Sequence, residues 1–252
     1  MRLVLRHLFG ALFAMSLATA IHAAPSLPNI VLVHGAFADG SSWSRVIPLL
    51  QKKGYRVSAV QLPLTSLVDD VAATRRVIER QPDDVLLVGH SWGGVVVTEA
   101  GNTAKVKALV YLSALVPDSG ESAQGLLQRH GAPMEGMTPD AAGLIWLDDP
   151  QAFHAVMAGD LPLSMARELA AVQKPLAARA FADPVSHAAW RDKPSWYLVT
   201  TNDHALPPRV QRALADELNA HTVVLASSHL SMASHPDKVA ALIDEAARMQ
   251  GR

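Results

Sequence analysis

Residues 84–100 pass from a short apolar stretch through a serine set between glycines into a second apolar stretch. Asp84 to Val88 has the length and branched side chains of a buried strand, and Val95 to Ala100 has the character of a helix. Between them stands Gly89-His90-Ser91-Trp92-Gly93-Gly94. A serine at this spacing occupies a tight strand-to-helix turn, where glycines let a strained backbone push the hydroxyl out over the edge of a sheet. The segment therefore predicts a sheet covered by helices, with Ser91 as a candidate nucleophile.

The same alternation of apolar runs and amphipathic stretches extends over most of the chain. The predicted strands are Asn29 to Val33, Tyr55 to Val60, Asp84 to Val88, Val106 to Leu112, Ser195 to Thr200 and Thr222 to Leu225. The predicted helices are Ser44 to Lys53, closed by Gly54; one capped by Ser66 that runs to about Arg80; one that starts at Pro207; and Pro236 to about Met249. Helical crossovers between strands produce a parallel sheet, so we predict an α/β fold with a mostly parallel sheet of about six strands flanked by helices.

Residues 117–194 break this alternation. The interval holds no convincing strand, is rich in Ala, Leu, Met and Pro, and contains the aromatic residues Trp146 and Phe153. A structureless loop of that length is improbable in a compact domain. We therefore expect a helical cap inserted after the strand that ends near Leu112. The alternative is a set of ordinary connecting helices packed away from any site.

Composition narrows the classes of function. The 252 residues include 18% charged side chains and carry a formal net charge of −1, without a basic run that would track a phosphate backbone. We therefore expect no nucleic-acid partner. The chain has no cysteine, and its 11 histidines form no His-Glu-x-x-His pattern. This excludes a thiolate nucleophile, and we expect neither a metal nor any other cofactor.

The start of the chain has the pattern of a targeting segment. Two arginines precede an apolar run from Leu8 to Ala20, and small residues follow at Ala23 and Ala24. The run is short for a bilayer span, so the pattern predicts a secretory signal peptide over residues 1–23, with an uncleaved anchor as the alternative. We expect a mature domain of residues 24–252 that is periplasmic or secreted, not bound to a membrane, and either a monomer or a homodimer.

Two loops late in the chain supply partners for Ser91. Asp203 follows the predicted strand that ends at Thr200, and His229 follows the last predicted strand. Both positions lie just past the carboxyl end of a strand, the edge where open α/β sheets bind ligands. In serine hydrolases built on such a sheet the acid precedes the histidine in sequence. We therefore predict Asp203 as the acid and His229 as the base that takes the Ser91 proton.

Three further residues stay open as alternatives. Asp118 follows the fourth predicted strand, a second position at which such enzymes place the acid. His204 stands next to Asp203, and His235 stands at the start of the last predicted helix, so each is an alternative base. The strand-end positions favour Asp203 and His229.

Attack by Ser91 on a carbonyl also needs donors aimed at the resulting oxyanion. The first predicted strand ends in Val33-His34-Gly35-Ala36-Phe37, and the loop after such a strand lies beside the serine turn. The backbone N–H groups of Ala36 and Trp92 are the expected pair, each worth about 2.7–4 kcal/mol. We expect His34 to order the loop, because the base comes late in the chain.

Over most of its length the chain resembles the bacterial α/β-hydrolases related to plant methylesterases and hydroxynitrile lyases. The matching stretches are VLVHGAFADGSSW, PLTSLVDDVAAT, LVGHSWGG, LVYLSALVPDSGES, KPSWYLVTTNDHALPP and SSHLSMASHP. The resemblance implies the α/β-hydrolase fold. It also implies the nucleophile, acid, base and oxyanion donors at Ser91, Asp203, His229, Ala36 and Trp92.

Two positions separate the branches of this family. Resemblance to the lyases would imply a threonine in place of Gly35 and a lysine directly after the catalytic histidine, where the chain has Leu230. An aliphatic side chain cannot stabilise a departing cyanide anion, so ester hydrolysis is favoured. The serine nucleophile also argues against epoxide hydrolases and haloalkane dehalogenases, since those relatives use a carboxylate.

The sequence thus predicts a serine hydrolase that cleaves small to medium apolar carboxylic esters through an acyl-enzyme. Phe37, Trp146 and Phe153 are expected to contact the substrate, because apolar and aromatic side chains line most ligand sites. Two alternatives stay open: a carbon–carbon lyase like the hydroxynitrile lyases, and a protein that binds a small ligand without turnover.

Overall fold

The structure is a computed structural model that describes residues 27–132 and 137–249. The predicted signal peptide, residues 1–23, lies outside these ranges. In chain order the strands are β1 (Asn29–Val33), β2 (Val57–Ala59), β3 (Val85–His90), β4 (Val106–Leu112), β5 (Leu144–Ile145), β6 (Leu176–Ala177), β7 (Ser195–Thr200) and β8 (His221–Leu225). The α-helices are α1 (Ile47–Lys52), α2 (Leu67–Glu79), α3 (Trp92–Ala100), α4 (Ala123–Arg129), α5 (Pro150–Met157), α6 (Leu163–Val172), α7 (Pro208–Glu217), α8 (Ser231–Ser234) and α9 (Pro236–Met249).

Six of the strands form one sheet in the order β2-β1-β3-β4-β7-β8, and every neighbouring pair is parallel. All residues of β1, β3 and β7 are buried. Continuous apolar runs of this kind suit a parallel sheet that is covered on both faces. The predicted α/β fold, with a mostly parallel six-stranded sheet flanked by helices, is confirmed.

Some predicted boundaries hold and others shift. β4 and β7 begin and end where the sequence predicts. The helix predicted from Ser44 begins instead at Ile47, after a short 3-10 helix, Gly40–Trp43. Pro48 explains the shift, because a residue without an N–H fits only the first turn of a helix. β2 is shorter than predicted, and it lies at the edge of the sheet, where it pairs with β1 alone.

Most of the regular structure in the segment between β4 and β7 is helical, as predicted. It contains α4, α5, α6 and the 3-10 helices Ala178–Ala182 and Ala189–Arg191. The expectation that it holds no strand is wrong, since β5 and β6 pair antiparallel. A ladder of two residues in each strand is too short to leave an alternating pattern, and its strands are far apart in sequence. We call the described part of residues 117–194 the cap segment.

Glycines let α3 approach the sheet closely. A Cβ on Gly93 would lie 2.5 Å from the carbonyl oxygen of Val33 and 2.7 Å from that of His34. β3 runs on to His90, two residues past its predicted end, because its last residues pair with β4. Gly89 is therefore a strand residue, and a Cβ there would lie 2.6 Å from the carbonyl oxygen of Gly93. Close contact between backbones, rather than the turn itself, requires both glycines.

A buried carboxylate joins α2 to α3. Asp70 accepts a hydrogen bond from the backbone N–H of Leu64 at 2.7 Å and one from the indole N–H of Trp92 at 2.8 Å. Burial raises the pKa of Asp70 to about 6, although both hydrogen bonds favour the charged form. Asp70 thereby orients the side chain of the residue that begins α3, directly after Ser91.

Replacement of Gly93 by alanine is expected to lower the free energy of unfolding by more than about 2 kcal/mol, because the new Cβ meets backbone oxygens at the end of β1. The matched control is Gly125→Ala in α4, where the new Cβ would lie 3.5 Å from Ser122 Oγ, an ordinary contact. The control is expected to gain about 0.5–1 kcal/mol from the helix preference of alanine. Urea unfolding measures both, and equal effects would contradict the role assigned to Gly93.

Asp70 also predicts a pH dependence of stability. Its folded-state pKa of about 6 lies above its ordinary value of 3.8, so the folded chain binds this proton more tightly than the unfolded chain. The stabilising contribution is therefore full below about pH 4 and is lost as the pH rises to about 6.

Relative to Asp70→Asn, the wild-type free energy of unfolding should fall across this interval by up to about 1.4 kcal/mol per pH unit. Urea titrations at several pH values between 4 and 7 measure the difference. Asp216→Asn, which removes an exposed carboxylate of α7, is the control for loss of charge. A difference between wild type and Asp70→Asn that stays constant with pH would contradict this account.

Candidate active site

Ser91 holds a strained backbone conformation in the turn between β3 and α3. Its φ of 52° and ψ of −121° lie in a region that residues other than glycine rarely adopt. The turn is fixed on both sides, because Ser91 N–H donates to the Leu112 carbonyl and the Ser91 carbonyl accepts from Leu115 N–H, each at 3.2 Å. The end of β4 therefore holds the strained turn in place.

Asp203 and His229 form a buried hydrogen-bonded pair. The carboxylate of Asp203 accepts from His229 Nδ1 at 2.7 Å, Thr200 Oγ1 at 2.8 Å, Gln211 Nε2 at 2.9 Å, and the backbone N–H groups of Ala205 and Leu206 at 2.8 Å each. Burial opposes the charged form, but the charge and hydrogen bond of His229, with the other donors, hold the pKa of Asp203 below its ordinary value. Asp203 is therefore an anion that orients the imidazole.

Among the described residues, the second ring nitrogen of His229 faces no protein partner. In the neutral form of the ring, Nδ1 donates its proton to Asp203 and Nε2 carries the lone pair. Nε2 is buried and has no hydrogen-bond partner within residues 27–132 and 137–249. His229 lines the same cavity as Ser91. The imidazole is thus placed to accept a proton inside that cavity.

His90 supports His229 from the sheet side. The two rings lie 4.6 Å apart between centroids, and His90 Nε2–H donates to the backbone carbonyl of His229 at 3.0 Å. Burial lowers the pKa of His90 well below its ordinary value, so this ring is neutral. Sequence reasoning assigned His90 no role, although its position directly before Ser91 was a usable signal.

The loop after β1 touches the serine turn. A Cβ on Gly35 would lie 2.8 Å from the Cβ of Ser91, so only glycine allows the loop to come this close. Ala36 and Trp92 both line the cavity that contains Ser91. In the described chain the N–H of Ala36 has no acceptor, and Trp92 begins α3, where first-turn N–H groups have no intrahelical acceptor. The structure thus brings together the two amides that the sequence predicts as oxyanion donors.

Both ring nitrogens of His34 are hydrogen-bonded, one within its own loop and one to the segment after β2. Its Nδ1–H donates to the Gly35 carbonyl at 2.8 Å, and its Nε2 accepts from Leu62 N–H at 3.0 Å. Burial lowers the pKa of His34 to about 4, so the ring is neutral at pH 7. Both ring nitrogens hold the loop, which agrees with the expectation that His34 orders it.

A cavity of about 60 Å³ contains Ser91 and His229. The core side of its wall includes Ala36, Phe37, Trp92 and Leu115, and the cap segment adds Leu127, Met137, Met157 and Phe181. Among the described residues no charged side chain lines it, apart from His229 in its protonated form. The cap segment therefore closes an apolar cavity over the serine.

Only one of the three predicted substrate contacts lies at this cavity. Phe37 lines it. Trp146 is 46% exposed and donates its indole N–H to Asp140 at 2.8 Å, so its predicted placement is wrong. The predicted placement of Phe153 is also wrong, because this residue is buried on α5 and does not line the cavity. Phe181 takes the position expected of these aromatics, with its ring 5.4 Å from that of Trp92.

The three alternative acids and bases lie elsewhere. Asp118 accepts from Arg191 Nε at 2.6 Å on the surface. His204 is exposed and donates from Nδ1 to the carbonyl of Ala155 at 3.0 Å. None of Asp118, His204 and His235 lines the wall of the cavity described here.

No group of three or more His, Cys, Asp or Glu residues in the described ranges is placed to hold a metal ion. No helix of residues 27–132 and 137–249 has both the length and the hydropathy that a membrane span requires.

Known proteins share this fold and sequence pattern. The chain matches the model of the alpha/beta hydrolase family over residues 30–242. It is 29% identical over 243 residues to alpha/beta hydrolase nvfD of Aspergillus novofumigatus, which covers 87% of this chain and 96% of that protein. Methylesterase 3 of Arabidopsis thaliana is 26% identical over 254 residues, covering 87% of this chain and 95% of the relative.

Among solved structures, a pyrethroid hydrolase from Sphingobium faniae superposes with a TM-score of 0.75 at 22% identity, covering 88% of this chain and 98% of that one. That likeness shows the fold alone. The sequence relatives include proteins named as hydrolases and as a methylesterase, which agrees with the resemblance seen in the motifs. Because the family match spans most of the chain, this protein belongs to the alpha/beta hydrolase family and is a hydrolase.

Proposed function

We propose that the protein is a serine esterase that hydrolyses carboxylic esters through an acyl-enzyme. One observation carries the proposal: among the described residues, the buried Asp203–His229 pair leaves Nε2 of the imidazole without a partner in the cavity that also contains Ser91. A nucleophile, a base and a group that orients the base are the parts that nucleophilic catalysis by serine requires.

In the proposed reaction Ser91 Oγ bonds to the ester carbonyl carbon while His229 Nε2 takes the hydroxyl proton. The tetrahedral oxyanion accepts hydrogen bonds from the N–H groups of Ala36 and Trp92. The bond to the alcohol oxygen breaks as His229 returns the proton to it. Water then gives a proton to His229 and attacks the acyl-enzyme, and Ser91 regains the proton as the acid leaves. Asp203 stays ionised and stabilises the imidazolium in both steps.

Two positions favour ester hydrolysis over the lyase alternative. Leu230 follows His229, and its apolar side chain offers no positive charge to a leaving cyanide. Gly35 leaves no space for the threonine that resemblance to the lyases would imply, because even a Cβ would lie 2.8 Å from that of Ser91. A binding protein without turnover would have no need of the strained Ser91 backbone, which costs about 1–3 kcal/mol.

The cavity supports a small, uncharged substrate group next to the serine. At about 60 Å³ it holds only a few atoms, and its wall is apolar. A second cavity of about 270 Å³ shares Leu127, Met137 and Phe181 with it. These three side chains therefore separate the two spaces. We propose small apolar esters as substrates, with a larger substituent extending toward the second cavity.

The cellular location of the protein is a separate proposal. The positive start, the short apolar run and the small residues of positions 1–24 support export to the periplasm or beyond it. Secretion of a full-length fusion to a reporter that matures only outside the cytoplasm would support it. Retention of the reporter inside the cell would contradict it.

The proposed function predicts turnover of p-nitrophenyl esters by the protein, with the highest kcat/KM for short acyl chains because the cavity beside Ser91 is small. Ser91→Ala is expected to lose at least about 10³-fold in kcat. A fluorophosphonate probe should label the wild type and not the variant. Folded wild-type protein that neither turns over esters nor reacts with the probe would refute the proposal.

The acid is tested by a matched pair of substitutions. Asp203→Asn is expected to lower kcat by about 10⁴-fold, because the neutral amide neither stabilises the imidazolium nor enforces its tautomer. Asp118→Asn removes an exposed partner of Arg191 and should change kcat less than about twofold. Initial rates on the same ester compare them. A loss of kcat confined to Asp118→Asn would show that Asp118, and not Asp203, is the acid.

A further inference from the structure

The loop that carries His229 is bound by the cap segment as well as by the core. Asp160 lies between α5 and α6, and its carboxylate accepts a hydrogen bond from the backbone N–H of Ser228 at 3.0 Å. It also accepts from the hydroxyl of Ser228 and, at 3.1 Å, from that of Ser227. A single cap carboxylate therefore holds the two residues that directly precede His229.

The cap also holds the residue that follows His229. The carbonyl of Met157, at the end of α5, accepts from Leu230 N–H at 3.1 Å. It also lies 3.2 Å from Ser228 Oγ, whose single proton is directed to Asp160. The carbonyl of His229 itself is held from the core by His90. The backbone on each side of the imidazole is thus fixed by the turn after α5, and the backbone of His229 is fixed by the sheet.

The environment of Asp160 favours a persistent interaction. Ser227 and Ser228 are buried, and the side chain of Asp160 is 22% exposed. Burial opposes ionisation, yet the hydrogen bonds from Ser228, Ser234 and Ser227 hold the pKa of Asp160 below its ordinary value. His235 Nε2 lies 3.5 Å from Oδ2 of Asp160. Hydrogen bonds to a charged acceptor are stronger than neutral ones.

We propose that Asp160 is a positioning residue, which acts through Ser228 to hold the His229 imidazole in its position relative to Ser91. Asp160 does not line the cavity and touches no group that reacts in the proposed mechanism. The inference rests on the proposed esterase function for its kinetic readout. It makes the turn after α5 a part of the catalytic apparatus, so the cap segment does more than close the substrate cavity.

The contacts specify which substitutions disrupt the loop. Alanine at position 160 removes every acceptor and leaves Ser228 N–H without its partner. Asparagine keeps one oxygen for the donors on Oδ2, and its amide can donate to Ser228 Oγ, whose own proton then goes to the Met157 carbonyl. The asparagine variant therefore preserves the geometry that alanine abolishes.

Steady-state kinetics on one short p-nitrophenyl ester test the inference. Asp160→Ala is expected to lower kcat about 10–100-fold with KM changed less than about threefold, because a misplaced base slows the chemistry while the cavity wall stays intact. Asp160→Asn should keep kcat within about threefold of wild type. Ser228→Ala removes the donor of the hydroxyl bond to Asp160. In the double variant with Asp160→Ala, the fold-loss in kcat should be smaller than the product of the two single losses.

The matched control is Asp149→Ala in the same part of the cap. Asp149 caps α5 by accepting from Ala152 N–H at 2.8 Å and does not contact the His229 loop. Loss of the cap should lower stability and leave kcat within about twofold of wild type. A fall in kcat equal to that of Asp160→Ala would reduce Asp160 to a general stabiliser of the cap and overturn the inference.

A measurement that needs no turnover separates this inference from the proposed function. Amide hydrogen exchange at residues 228–230 should be faster in Asp160→Ala than in wild type and unchanged in Asp149→Ala. An inactive wild type with this exchange pattern would refute the esterase proposal while retaining the positional role. An active Asp160→Ala with wild-type kcat and exchange would refute the role of Asp160, and if that variant does not fold, Ser228→Ala carries the same test.

Discussion

The close approach of α3 to the ends of β1 and β3 is the constraint on which the rest of the site depends. The missing side chains of Gly35 and Gly93 let the first loop and the helix meet at distances that any Cβ would forbid. That contact sets Ala36 and Trp92 on the wall of one cavity. It also fixes the strained Ser91 turn, since the surrounding backbone leaves no room for relaxation. The geometry of the site is therefore set by backbone packing rather than by side-chain contacts.

The part of the site that the sheet carries can be predicted from the sequence, because parallel strands end at a common edge. Ser91, Asp203 and His229 each follow an apolar run that is long enough to recognise as a strand. Because the strands are parallel, the carboxyl ends of β3, β7 and β8 lie at one edge of the sheet. The first and last of the three residues are more than a hundred positions apart in the sequence. Position past a strand end is thus enough to gather these residues, and periodicity is enough to find the strands.

The cap half does not follow from sequence in the same way. Its helices are short and apolar on several sides, so no pattern distinguishes Phe181, which lines the cavity, from Phe153, which does not. Trp146 looks like a ligand contact but donates its indole N–H to Asp140 at the surface. The contact of Asp160 with Ser228 joins residues 68 positions apart and belongs to no motif. Long-range packing decides each of these placements, and no local signal reports it.

The two halves of the site therefore differ in how freely they can change. Leu127, Met137 and Phe181 touch the cavity with apolar surface only, so substitutions there alter its volume without removing the hydrogen bond between Asp203 and His229. The turn at Asp160 has no such freedom, because its carboxylate and the neighbouring Met157 carbonyl satisfy buried polar groups on the loop of His229. A buried donor left without its acceptor costs about 1–3 kcal/mol. Within the cap segment, then, Leu127, Met137 and Phe181 line the cavity away from the contacts of Asp160, whereas Met157 both lines the cavity and binds the His229 loop through its carbonyl.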